Sequence, residues 1–523
     1  MKGWKMKKYL CAVPLVLLAF VSLGNSAGKS NLTFGVTFGP HPVGFRVVYQ
    51  YDYSRVYKPA FDLEGKPATG ERARPIQTLI WYPAQPDNSA RPMLYGRYLE
   101  LVATEENFND DSAQKAATWQ FFLEHWDLKD RYDIERVQPT HAFSEAKPAS
   151  GSFAVVIYAP GFGSPAFENS DLCEYLASHG YVVVASPDMG PRSRGMTMDV
   201  MGIQTQAADI EFLIGCLRNI PHADMSHIAV AGYSWGGISN VFAQTQDDRI
   251  SALVCLDGTI RAGYGGGYFL KDAKYVTANR VTVPLLYLAS RDTPVESFSP
   301  EDVAPNFLND LKYSDFHFVS FYGMQHWDFS SYMIRFCPDA HFAEYTAAEI
   351  SESHSWMARY VLNFLNAYIK KEGTAREFLK NSPDKNGAPR HQLAMQYRPA
   401  LYPAPTVADL ARELAKQGFD KAIPIWQEAK KKDSGFILPE REVNAYGVRL
   451  MRSGKLNEAI AVFKLNVAMY PESIFVYDNL AEAQEAVGDK QGAIANYKKS
   501  LELNSGDTTA AERLKKLESN PIK

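Results

Sequence analysis

At 523 residues, with 46% hydrophobic and 22% charged side chains, the chain exceeds one ordinary domain and is neither disordered nor fibrous in composition, so two folded units are expected. A formal net charge of −4 offers no footing for nucleic acid. No two cysteines fall at metal-ligand spacing, so no metal is expected, and no cofactor is implied.

The chain opens with Lys2, Lys5, Lys7 and Lys8, an apolar run from Tyr9 to Leu23, and small residues at Ser22, Gly24, Ser26 and Ala27. That order predicts an export signal over residues 1–27 and a periplasmic or secreted protein. Cleavage would remove four lysines, moving the formal charge from −4 to −8, and would leave no run approaching the roughly 20 apolar residues of a membrane span. Of the cysteines that remain, Cys216 falls in a helical pattern and Cys255 in a buried strand. At most one disulfide is therefore expected among Cys173, Cys216, Cys255 and Cys337.

Phe45–Tyr51 and Ile76–Tyr82 are β-rich and partly alternating, which predicts an antiparallel edge. A polar and aromatic insertion follows from residue 88 to about 150, with a helix expected over Ser112–Trp126 as a lid or pocket wall. Strands at Phe153–Tyr158, Tyr181–Ala185, His227–Ala231, Ala252–Leu256, Pro284–Leu288 and His317–Phe321 then alternate with helices at Ser170–His179 and Ile203–Leu217. Apolar runs of this kind suit a parallel sheet covered on both faces, so the class is α/β, with ligands expected beyond the carboxyl ends of the strands. This first folded unit is placed at residues 28–380.

Residues 381–405, with Pro383, Pro389, Pro399, Pro403 and Pro405, read as a linker to an all-α unit over 406–523. There Gly447, Gly454, Ala459 and Phe463 recur 34 residues later as Ala481, Gly488, Ala493 and Tyr497, the period of tetratricopeptide repeats. Val407–Lys430 reads as a degenerate first repeat and Asp507–Leu517 as a capping helix. The repeats serve either as packing or as a surface for a protein partner.

Gly232-Tyr233-Ser234-Trp235-Gly236 lies between a strand pattern and a helix pattern, the setting of a nucleophile elbow in which glycines flank a strained serine. A serine hydroxyl attacks only when a base takes its proton, and His326, following the last strand, is the candidate base. The acid that orients the imidazole is Asp257 or Asp292, each at a strand end. Asp257 is favoured, because an aspartate directly after Ala252–Leu256 would be costly unless hydrogen-bonded. The Pro160-Gly161-Phe162-Gly163 loop supplies a Phe162 amide that can pair with that of Trp235 as an oxyanion hole.

The Ser234 to Asp257 spacing of 23 residues, the Gly323, His326, Phe329 pattern, and the Arg74-Pro75-Ile76-Gln77 and Trp81-Tyr82-Pro83-Ala84 segments carry a family resemblance. Over residues 35–370 the chain resembles platelet-activating-factor acetylhydrolases and their bacterial dienelactone-hydrolase-like relatives. The resemblance implies an α/β-hydrolase fold and a Ser234, Asp257, His326 triad acting on short or modified acyl esters, phospholipid-derived ones included. Two departures stand out: Pro160 occupies the family's histidine position before the oxyanion glycine, and dienelactone hydrolases carry cysteine in place of Ser234. The rival readings are a peptidase or amidase using the same serine, and an inert hydrolase-fold scaffold that binds a partner through its repeats.

Overall fold

The computed structural model describes residues 28–61, 64–87, 89–125, 129–260, 266–273, 275–292, 307–433, 435–473 and 475–519. The leader read at residues 1–27 lies outside them. Among the described residues no helix is long and apolar enough to cross a membrane.

Ten strands of the described residues form one sheet: β1 (Val43–Val56), β2 (Ala73–Pro83), β3 (Ala142–Ser144), β4 (Phe153–Ala159), β5 (Tyr181–Ala185), β6 (Ala223–Tyr233), β7 (Ile250–Leu256), β8 (Leu285–Ala289), β9 (Phe316–Phe321) and β10 (Leu393–Arg398). Their order is β10-β9-β8-β7-β6-β4-β5-β2-β1-β3. From β5 to β9 every neighbour is parallel, while β1 and β2 pair antiparallel as expected, with the short β3 parallel to β1 at the outer edge. This is an α/β-hydrolase fold with an all-α unit at its C-terminus.

Alternate side chains of one strand serve opposite layers, which is why the central strands read as uninterrupted apolar runs. On β4, Val156 and Tyr158 join the layer containing Leu172, Leu176, Val361 and Leu365. Val155 and Ile157 join the layer containing Ile210, Leu213, Ile238 and Val241. Cys173 and Cys255 are buried in opposite layers, and the four cysteines among the described residues are free. The insertion packs as a wall: Tyr95, Tyr98, Leu99, Phe122 and Leu123 are buried in the first layer, with Ser112–His125 helical. Glu105 of the insertion is tied to Arg194 at 2.7 Å.

The linker reading of residues 381–405 needs correction. Within it, β10 pairs antiparallel with β9 as the edge of the sheet. Ala400 N–H donates to Asp315 Oδ1 (3.0 Å) and Leu401 N–H to the Lys312 carbonyl (2.8 Å). Prolines at 389 and 399 flank the strand rather than interrupt it, as an edge strand permits.

The repeats begin with helices Val407–Gln417 and Ala422–Lys432, followed by the pairs Glu440–Arg452 with Leu456–Met469 and Phe475–Val487 with Lys490–Leu503, then Thr508–Ser519. The 34-residue spacing has a packing cause: a Cβ at Gly447 would stand 2.4 Å from the Phe463 ring, so the two helices meet through a glycine and an aromatic. This unit docks on the hydrolase unit through Lys312 Nζ to Asp433 (2.5 Å), Arg441 to Asp247 (3.5 Å), and the Arg280 guanidinium 4.9 Å over the Tyr470 ring.

Candidate active site

Strand β6 ends at Tyr233, and the chain turns at Ser234 with φ 50° and ψ −110° into the helix Trp235–Gln246. A non-glycine residue at positive φ is strained, and here the surroundings hold it. Ser234 N–H donates to the Leu256 carbonyl (3.0 Å), and its own carbonyl accepts from Gly237 N–H (3.0 Å) and Thr259 N–H (2.9 Å). The flanking glycines are steric necessities. A Cβ at Gly236 would lie 2.0 Å from the Ala159 carbonyl oxygen, and one at Gly232 would lie 2.5 Å from the Gly236 carbonyl. The hydroxyl is thereby presented at the carboxyl edge of the sheet.

Strand β7 ends next door at Asp257, also at positive φ (44°). Its N–H donates to the Leu288 carbonyl (2.6 Å), and its Oδ1 accepts from Ser290 N–H (3.0 Å), so the carboxylate is fixed from β8. After β9, His326 opens the short turn His326–Phe329, which Gln325 and Asp328 cap reciprocally. His326 Nδ1 lies 2.7 Å from Asp257 Oδ2 and Nε2 lies 2.9 Å from Ser234 Oγ. The tautomer that satisfies both donates from Nδ1 to the carboxylate and leaves Nε2 to accept the serine proton. The Tyr233 ring, 5.1 Å away centroid to centroid and tilted by 32°, backs the imidazole.

Asp292, the other candidate acid, is exposed in the turn after β8, while Asp257 takes the Nδ1 position. His317 belongs elsewhere: it stacks on Tyr397 and sits 2.8 Å from the Tyr368 hydroxyl, and burial pushes it down to about 4. The amides of Phe162 and Trp235 have no protein hydrogen-bond partner among the described residues, and their rings meet edge to face at 5.3 Å. Pro160, where the resembled family has histidine, presents its carbonyl to Gln206 Nε2 at 2.8 Å.

Contacts that the sequence reading missed surround this core. Tyr233 and the Ser290 amide brace the histidine and the aspartate, and two buried acids, Glu168 and Asp188, hold the glycine loop. Only the adjacency of Tyr233 to Ser234 is written in the local sequence. The other three lie 7 to 33 residues from their partners and meet them through the sheet order.

Asp328, buried beneath the histidine turn, faces His341 at 3.4 Å. That carboxylate, with Cys337 beside it, raises His341 from 6.5 to about 10. A value raised on folding contributes stability in full below the unfolded value and loses it as pH rises through the folded one. The thermal midpoint is therefore expected to fall between pH 6.5 and about 10, and His341→Gln to flatten that part of the profile in thermal-melt measurements.

No family model matches the chain. Over 93 residues, 17% of this chain, it is 26% identical to tetratricopeptide repeat protein 36 of Mus musculus, and the match spans half of that protein's length. Among solved structures, a ferulic acid esterase from Streptomyces cinnamoneus aligns over 66% of this chain and 94% of its own, with 19% sequence identity and a TM-score of 0.44. The α/β-hydrolase fold is defined here by the sheet order and the elbow.

Proposed function

We propose that the chain is a serine esterase that hydrolyses carboxylic esters through an acyl-enzyme. The Ser234–His326–Asp257 relay, at 2.9 and 2.7 Å, carries this reading. The Ser234 hydroxyl gives its proton to His326 Nε2 as the oxygen attacks the ester carbonyl, and Asp257 stabilises the imidazolium that forms. The carbonyl oxygen takes up negative charge toward the Phe162 and Trp235 amides. The intermediate collapses by breaking the bond to the leaving alcohol, which takes the proton from Nε2. Water then attacks the acyl-serine, with His326 first accepting and then returning a proton, and the acid leaves.

Short or modified acyl groups are the proposed substrates, on the strength of the family resemblance, and no step calls on a cofactor. The Lys2 to Ala27 pattern supports export to the periplasm or beyond. The repeat unit supports a protein partner, since stacked helix pairs expose extended binding surfaces.

The reading is tested by comparing p-nitrophenyl esters of increasing acyl length with aminoacyl anilides. The short-chain esters are expected to be turned over at least about 10²-fold faster, expressed as kcat/KM. Anilides cleaved as fast as esters would make the protein an amidase or peptidase.

A further inference from the structure

The glycine loop after β4 is gripped from two directions. Ser164 N–H closes a tight turn on the Gly161 carbonyl (3.0 Å), and Gly163 sits in the left-handed region at φ 65°. Within that turn the Gly161 amide donates to Glu168 Oε2 (2.9 Å) and the Gly163 amide to Asp188 Oδ2 (2.8 Å). The Phe162 amide between them donates to no protein group among the described residues. Two amides are thus committed to carboxyl groups, and the one amide left for a substrate oxygen has its plane set by its neighbours.

Both acids are buried, Glu168 at 1% and Asp188 at 0% exposure. A carboxyl in such a place incurs a desolvation penalty that an apolar side chain of equal volume would not. Burial raises the Glu168 carboxyl to about 7 against the opposing pull of its bond from the Gly161 amide. Glu168 also accepts from the Tyr158 hydroxyl (3.1 Å), which in turn accepts from Asn169 Nδ2 (2.6 Å). Asn169 reaches the histidine turn, donating to the Phe329 carbonyl (2.9 Å) and accepting from Ser331 N–H (2.7 Å). One hydrogen-bonded chain therefore runs from the oxyanion loop to the turn that begins at His326. Space is tight as well, since a Cβ at Gly161 would meet the Tyr233 ring at 2.9 Å and Glu168 at 3.2 Å.

We propose that Glu168 and Asp188 are positioning residues for ester hydrolysis, holding the Gly161–Gly163 turn so that the Phe162 amide points at the developing oxyanion. The inference rests on Ser234 being the nucleophile. Neither acid touches the reacting atoms; both act through the loop backbone.

The test is steady-state kinetics on p-nitrophenyl acetate with the full chain. Glu168→Met fills the volume but accepts no amide hydrogen bond, and it should lower kcat about 10- to 100-fold with KM within about threefold, since only transition-state stabilisation is lost. Glu168→Gln still offers a carbonyl to the Gly161 amide and should recover most of that loss. Asp188→Leu and Asp188→Asn form the same pair on the Gly163 amide and decide the matter if a Glu168 variant does not fold. A folded Met or Leu variant with unchanged kcat overturns the proposal, as does a loss carried in KM or a Gln variant as impaired as the Met variant. Ser234→Ala run alongside separates the two levels: an inactive alanine variant beside an unaffected Glu168→Met removes this inference alone, whereas an active one removes the Ser234 reading and this inference with it.

Discussion

Ser234→Ala is expected to lower kcat for p-nitrophenyl acetate by about 10⁵- to 10⁶-fold while leaving the fold and melting temperature near those of the parent. The size of the effect follows from the geometry. With the hydroxyl gone, the proton relay through His326 has nothing to activate, and only ester binding and the two amides remain to favour hydrolysis by water. The fold should tolerate the change, because Ser234 is held through its backbone bonds to Leu256, Gly237 and Thr259 rather than through its side chain. Circular dichroism and a thermal melt beside the kinetics separate lost chemistry from lost structure. A variant that keeps the parent's rate would remove Ser234 from the reaction.

The second large effect distinguishes the two acids. Asp257→Asn preserves the size of the side chain but turns an acceptor that holds Nδ1–H into a group that can present N–H to it, so the imidazole is driven toward the wrong tautomer; a loss of about 10⁴-fold in kcat is expected. Asp292→Asn, in an exposed turn, should stay within about twofold of the parent, as surface changes remote from a site do. The pair is informative because the two residues follow neighbouring strands, β7 and β8, and only one lies 2.7 Å from the ring. The reverse ranking would place the charge that matters on β8 rather than β7.

Much of this arrangement is legible in the residues themselves. The elbow is readable because its glycines answer a local steric demand: at Gly232 and Gly236 the backbone approaches within 2.0 to 2.5 Å of where a Cβ would stand. The parallel core is readable because strands buried on both faces lose their alternation, as Val155–Tyr158 and Val182–Val184 do. The repeats are readable because Gly447 against Phe463, and Ala481 with Ala493 and Tyr497, meet the same packing requirement at a fixed interval.

What escapes the sequence is contact made through topology. The candidate acids Asp257 and Asp292 look alike on paper, since each follows an apolar strand. Their difference arises from the positive φ at Asp257 and from the Ser290 amide, supplied by the adjacent strand. Strand β10 was hidden for another reason: an edge strand buries little, only Leu393 is fully covered, and its proline-flanked setting has the composition of a connector. Glu168 and Asp188 were hidden because a buried acid has no local signature; each is recognised only once the amide it holds is seen.

The docking of the repeats has consequences for how the hydrolase unit can be studied. β10 closes the sheet and Asp433 binds Lys312 and the Tyr313 hydroxyl, so truncation near residue 380 would expose β9 and strip an edge from the fold. Variants are therefore best compared in the full chain.

Whether the Ser234 oxygen is an activated nucleophile is read out by mapping a fluorophosphonate adduct with peptide mass spectrometry. A single phosphonylated residue, Ser234, is the expected result, with labelling slowed by orders of magnitude in His326→Ala and in Asp257→Asn. Folded protein that acquires no adduct, or acquires it on another residue while Ser234 stays unmodified, would contradict it.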